Sequence, residues 1–126
     1  MNAPDRVLDI LVVEDERIIA LLNASIIKSL GHRVAASLTT GEGAVEYAAA
    51  RDVDLILMDI RLDGAMDGIE AVQRIQAERE VPVVYISAYT DAQTQARAGQ
   101  TRHLAFLPKP LDPKRLGEII AGLSWN

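Results

Sequence analysis

Val7-Leu8-Asp9-Ile10-Leu11-Val12-Val13-Glu14-Asp15 is apolar on nearly every residue up to Val13 and then turns acidic. A strand with one wet face alternates polar and apolar side chains, whereas a strand covered on both faces is apolar throughout. Residues 7–13 therefore read as a central strand of a parallel sheet. Ile18, Ile19, Leu22, Ile26 and Leu30 follow at helical spacing, ending at Gly31, a residue that tolerates the left-handed turn of a helix terminus. Further units repeat this strand-then-helix pattern. A strand over 32–37 precedes a helix over 40–51, capped by Thr40, with Ala44, Val45, Ala48 and Ala49 on its buried side. A strand over 54–58 leads through a Gly/Asp-rich loop, 61–68, to a helix whose stripe is Ile69, Ala71, Val72 and Ile75, ending before Pro82. A strand over 83–87 precedes a helix over 91–100 whose apolar face is alanine alone and which should be weakly held. Residues 104–107 form the last strand, and 112–123 the last helix, separated by Pro108-Lys109-Pro110. Five such βα units predict an α/β class chain with a doubly wound, five-stranded parallel sheet.

The 126 residues fit one domain, expected over 7–124 behind a short N-terminal tail, 1–6, with no room for a second output domain. At 49% apolar the chain should fold throughout. Without cysteine there is no disulfide framework, thiolate metal site or cysteine nucleophile, which fits a cytoplasmic setting. No apolar run reaches the roughly 18 residues of a membrane span, so no membrane partner is expected. A net charge of −5, with 13 scattered Lys and Arg, argues against nucleic acid as a partner. Divalent cations and proteins suit this balance better.

In a doubly wound sheet, ligands bind beyond the carboxyl ends of the strands. Glu14 and Asp15 close the first strand, Asp59 the third and Ser87 the fourth, and Lys109 follows the fifth. Three carboxylates in one crevice repel one another and call for a cation. An oxygen-only donor set favours Mg²⁺, with Mn²⁺ able to substitute. A carboxylate beside such an ion can attack phosphorus to give an aspartyl phosphate, while the ion, a lysine and a hydroxyl hold the phosphoryl oxygens.

These residues resemble the response regulator receiver domain over essentially the whole chain. Ile10-Leu11-Val12-Val13-Glu14-Asp15-Glu16 is similar to that family's first-strand acidic motif, and Leu55-Ile56-Leu57-Met58-Asp59 to its phosphoacceptor motif. Val84-Tyr85-Ile86-Ser87-Ala88 resembles its hydroxyl-bearing strand, and Phe106-Leu107-Pro108-Lys109-Pro110 its lysine motif. The resemblance implies the flavodoxin-like (βα)5 receiver fold. It further implies Asp59 as phosphoacceptor, Asp15 as a direct Mg²⁺ ligand, Glu14 as an acidic partner acting through water, and the carbonyl of Arg61 as a backbone ligand. Ser87 would bond the phosphoryl group, Lys109 would pair with it, and Phe106 would stand at the aromatic switch position. Arg61 and Tyr89 would flank the approach of the hydrolytic water. The expected partners are a histidine kinase or histidine phosphotransfer protein and a downstream protein target, with homodimerisation another route for the signal. Such a domain catalyses only its own phosphoryl transfer and dephosphorylation and is not otherwise an enzyme.

Taken singly, each residue has a plainer reading. Asp15 could be a helix N-cap, Asp59 a loop carboxylate, Ser87 a partner for a strand-end backbone group, Lys109 a solvated lysine, and Phe106 simply core. His32 and His103 fall at strand starts and take no catalytic part, and Trp125 has no assigned role. Compared with the commonest family pattern, Glu14 replaces Asp, and loop 61–68 lacks a proline and is one residue longer, as in receivers with Met-Asp-Gly here. Three rivals compete. A flavin-binding electron carrier needs a Ser/Thr/Gly loop where Glu14 and Asp15 stand. A haloacid-dehalogenase-like phosphatase carries a second Asp where this chain has Arg61. A receiver-shaped binding module would have lost residues that are intact at 59, 87 and 109.

Overall fold

A computed structural model describes residues 6–88 and 90–123. Tyr89, Trp125, most of the N-terminal tail and Ser124, for which the sequence raised expectations, lie outside the described residues. The elements alternate strictly: β1 Asp9–Val13, α1 Arg17–Ser29, β2 Arg33–Leu38, α2 Gly41–Ala50, β3 Leu55–Asp59, α3 Gly68–Glu78, β4 Val83–Ser87, α4 Ala92–Ala98, β5 Ala105–Pro108 and α5 Pro113–Ala121. All strand pairs are parallel, in the order β2-β1-β3-β4-β5. This is the doubly wound, five-stranded flavodoxin-like (βα)5 sheet that the alternation predicts.

The period of two along each strand divides the core in half. Leu11, Val13, Ile56, Met58, Val83 and Tyr85 face α2 and α3, where Ala44, Ala48, Ile69, Val72 and Ile75 meet them. Ile10, Val12, Leu55, Leu57, Val84 and Ile86 face α1 and α5, against Ile26, Ile27, Leu116 and Ile120. Neither face of β1 meets water between Ile10 and Val13, which is why that segment carries no polar alternation. Its one polar residue, Asp9, sits at the amino end and pairs with Arg33 of β2 at 2.8 Å.

Several boundaries and faces depart from expectation. Strand β3 runs one residue further, so Asp59 is inside it, and β5 begins at Ala105 and ends at Pro108. On α1, Ile18 and Leu22 are not buried. They are 81% and 51% exposed, with Leu21 at 62%, while Ala20, Asn23, Ile26 and Ile27 turn inward. Four large apolar residues crowd positions 18–22, so more than one helical stripe fits them and spacing cannot choose between faces. Ala49 of α2 is likewise exposed. In α4 only Ala98 is buried. The caps fall where short polar residues predict them: Thr40, Asp67, Asp91 and Asp112 each accept a backbone N–H of the first turn of α2, α3, α4 and α5. Among the described residues no helix is long and apolar enough to cross a membrane.

Candidate functional site

The strand order reverses direction between β1 and β3, and a crevice opens there beyond the carboxyl ends of the strands. Five of the predicted side chains gather around it. Glu14 follows β1 and is 2% exposed, and Asp59 ends β3 at 4%. Ligand oxygens of Glu14, Asp15 and Asp59 all lie within 4.8 Å of one another. Lys109, just past β5, reaches in so that Nζ stands 2.9 Å from Glu14 Oε1 and donates a hydrogen bond to Asp59 Oδ2 at 3.1 Å. Ser87 closes β4, wholly buried, and its carbonyl accepts the Lys109 N–H at 3.0 Å, which fixes the lysine backbone to the site.

Local structure explains why these carboxylates are held so close. The Glu16 N–H donates to Glu14 Oε2 at 3.0 Å and folds the side chain back over the strand end. Glu14 Oε1 accepts no well-angled hydrogen bond despite the nearby ammonium, so one buried carboxylate oxygen is satisfied by charge alone. The N-cap of α1 is Glu16, which makes no side-chain capping bond, so capping does not consume Asp15.

The electrostatics follow from burial and crowding. Burial, then the charge and hydrogen bond of Glu14, push Asp59 up to about 7, against the opposing pull of Lys109. Burial also raises Asp15, with Glu14 adding to it. Burial would raise Glu14 as well, but Lys109 and the Glu16 N–H outweigh it and hold its carboxyl below the usual range. Burial disfavours the Lys109 ammonium, yet Glu14 and Asp59 outweigh that and raise its pKa. Of the two facing carboxylates, Asp59 is therefore the one that holds a proton more readily, as burial and a neighbouring anion require. An all-oxygen donor set with one buried oxygen lacking a hydrogen bond fits a hard divalent cation such as Mg²⁺.

The remaining predicted residues sit around this centre. Arg61, two residues past Asp59, is exposed and lines a cleft of about 280 Å³ with Ile60, Leu62, Asp67, Thr94 and Arg97. Phe106 is half-buried beside Tyr85, ring centroids 6.2 Å apart, and packs on the α2–α3 side of the core. His32 Nδ1 accepts the Leu8 N–H at 3.0 Å, and His103 precedes β5, so both lie at the amino ends of strands, opposite the crevice. Asp63 was not singled out from the sequence. Loop 61–68 pairs it with Thr40 in an isolated bridge, and its charge adds to the rise of Asp15. Nothing local signals this, because it depends on the path of the loop.

Comparison with known proteins agrees with this geometry. The profile of the response regulator receiver domain matches residues 10–121. The phyllosphere-induced regulator PhyR of Methylorubrum extorquens is 34% identical over 94% of this chain and 44% of its own length. The transcriptional regulatory protein PdtaR of Mycobacterium tuberculosis is 31% identical over 80% of this chain and 49% of its own. The chain thus spans about half the length, or less, of these curated relatives. Among solved structures, the signal receiver domain of a modulated diguanylate cyclase from Desulfovibrio desulfuricans superposes with a TM-score of 0.85 at 33% identity, covering 91% of each chain. The receiver domain of a sensor histidine kinase from Pseudomonas aeruginosa, solved with a magnesium ion coordinated in its active-site cleft, gives 0.80 at 30% identity, covering 91% of this chain and 95% of that one. With strand order, acidic crevice and sequence profile in agreement, this chain belongs to the response regulator receiver domain family.

Proposed function

We propose that this receiver accepts a phosphoryl group on Asp59 from a phosphohistidine of a histidine kinase or phosphotransfer protein, and passes the signal on by changing shape. One observation carries the reading: three carboxylates and one lysine converge on a single crevice, with Asp59 at its buried end. In the transfer, an Asp59 carboxylate oxygen attacks phosphorus, the O–P bond forms and the P–N bond to the donor imidazole breaks. The imidazole nitrogen keeps the electron pair. Lys109, already on Asp59 Oδ2, moves its charge to the incoming phosphoryl oxygens, and the Ser87 hydroxyl, at the end of the neighbouring strand, supplies a further hydrogen bond. Glu14, Asp15, Asp59 and the Arg61 carbonyl would hold Mg²⁺ or Mn²⁺, which supplies charge stabilisation of the phosphoryl oxygens when bound. Lys109, freed from Asp59, keeps its contact with Glu14, so the acidic pair stays in register. Phe106, half-buried next to β4, is the residue through which a shift of that strand would reach the surface.

The donor has to cover the mouth of the crevice. Helix α1 starts two residues past Asp15 and presents Ile18, Leu21 and Leu22 to solvent, an exposed apolar face suited to the phosphohistidine-bearing protein. Output would pass in the cytoplasm through noncovalent contacts with a downstream protein or a second copy of the chain. Incubation with a small-molecule phosphodonor and Mg²⁺, read by intact mass, tests the proposal. The expected result is one acid-labile phosphoryl adduct, absent in Asp59→Asn. Full phosphorylation of that variant would assign the acceptor elsewhere.

A further inference from the structure

We infer that Gly68 is a positioning residue for the phosphoacceptor: the absence of a side chain there lets the first turn of α3 press against the backbone of Asp59. Gly68 is buried at the start of α3, and its N–H donates to the Ile60 carbonyl at 2.7 Å. A Cβ at this position would run into the Asp59 carbonyl oxygen, closer than real Cβ atoms come to anything, and would stand 2.9 Å from Met58 Cγ and 3.0 Å from the Asp59 carbonyl carbon. The three atoms nearest to it all belong to Met58 and Asp59. Among the described residues positive φ occurs only at Gly31 and Gly64, so the demand at 68 is for space and not for an unusual backbone conformation. Helix propensity does not ask for glycine either, since alanine is the better helix former.

The consequence reaches the chemistry. Asp59 ends β3 opposite Ile86 of β4, so its carbonyl cannot retreat without disturbing the strand pair that aims its carboxylate at Lys109 and Glu14. The Gly68 to Ile60 hydrogen bond also closes loop 61–67, which carries Arg61. One glycine therefore sets the position of the nucleophile and the start of the loop beside it. No side chain in the crevice replaces this role, because the contact is to main chain.

The inference rests on Asp59 being the phosphoacceptor. Its test compares Gly68→Ala with Leu116→Ala, a cavity variant in α5 that is buried on the opposite face of the sheet from α3. Both are assayed in the cold with a stabilising osmolyte, and rates are expressed per folded molecule as measured by circular dichroism. At saturating small-molecule phosphodonor, Gly68→Ala should phosphorylate about 10²-fold more slowly than wild type, the loss expected of a misplaced reacting group, and its Mg²⁺ affinity should fall. Leu116→Ala should match wild type in both. Equal rates for Gly68→Ala and wild type would overturn the proposal, as would an equal slowing in the Leu116→Ala control. Failure of Gly68→Ala to fold under conditions where Leu116→Ala folds would assign the glycine to folding instead and overturn it too. Were wild type inert to the donor, the phosphoacceptor reading itself would fall, a separate and recognisable outcome.

Discussion

Lys109 Nζ bonds Asp59 Oδ2 at 3.1 Å and stands 2.9 Å from Glu14 Oε1, so a single ammonium serves two buried carboxylates. Burial first, and then the charge of Glu14 that one ammonium does not offset, raise the carboxyls of Asp59 and Asp15. The site is built with a deficit of positive charge that either a proton or a divalent ion can fill.

That deficit predicts a pH dependence. Asp59 is pushed from 3.8 up to about 7, first by burial and then by Glu14. Between about pH 4 and pH 7 the folded chain therefore holds a proton that the unfolded chain has released, and linkage makes stability fall as pH rises through that window. The contribution is complete below the lower limit and lost above the upper one. A shift of this size corresponds to at most ~4 kcal/mol. In chelator, urea midpoints at about pH 8 should show Asp59→Asn more stable than wild type, with the gap closing by about pH 5. A gap that stays constant across this range would mean Asp59 titrates normally. The comparison between the two proteins separates this effect from the lowered carboxyls of Asp9 and Asp91.

Mg²⁺ should replace that proton. At about 100 times its Kd, an ion that binds only the folded chain stabilises it by ~2.7 kcal/mol, which raises Tm by several degrees. Asp15→Ala removes one of the three converging carboxylates and should reduce the Tm increment while raising stability in chelator, because it also relieves repulsion. An identical Mg²⁺ response in the two proteins would exclude Asp15 from the site.

The fold was legible because β1, β3 and β4 are buried on both faces and their composition says so directly. The site was legible because its residues sit at strand ends, where a doubly wound topology gathers side chains that are distant in sequence. What escaped was whatever depends on a choice of face or on a loop path. Ile18 and Leu22 fit a buried stripe as well as an exposed one, and only the packing of Ala20, Asn23 and Ile27 decides between them. Asp63 and the clash that demands Gly68 arise from how 61–68 folds back on β3, for which no periodicity exists.

The exposed face of α1 gives a prediction specific to the protein donor. Leu22 is 51% exposed, so Leu22→Glu should leave stability within about 0.5 kcal/mol of wild type. A small phosphodonor does not touch this face, and its rate should not change. Transfer from the phosphorylated kinase or phosphotransfer protein should show a KM raised about tenfold, the equivalent of ~1.4 kcal/mol of docking energy. If both donors are unaffected, α1 is not the docking face; if both slow equally, the substitution has disturbed the crevice.

The hold on α4 gives the last prediction. This helix of seven residues buries only Ala98, so apolar packing contributes little to its position. Polar contacts compensate. Arg97 pairs with Asp67 at 2.8 Å, while the other carboxylate oxygen of Asp67 caps α3 through the Glu70 N–H. At the far end of α4, the Thr101 hydroxyl meets the Tyr85 hydroxyl at 2.8 Å and bonds the Ala98 carbonyl at 2.7 Å. The Arg97–Asp67 pair therefore ties α4 to the residue directly preceding Gly68, and so to the loop that begins beside Asp59. With side chains 46% and 32% exposed, such a pair is worth about 0.5–1 kcal/mol. Arg97→Ala should accordingly raise the opening equilibrium of α4 about two- to five-fold, read as faster amide hydrogen exchange over residues 94–100, with β3 and α3 unchanged. Thr101→Val, which cuts the tie to Tyr85, should add to this effect because the two contacts share no partner. Exchange in α4 that ignores both substitutions would show that Ala98 alone anchors the helix.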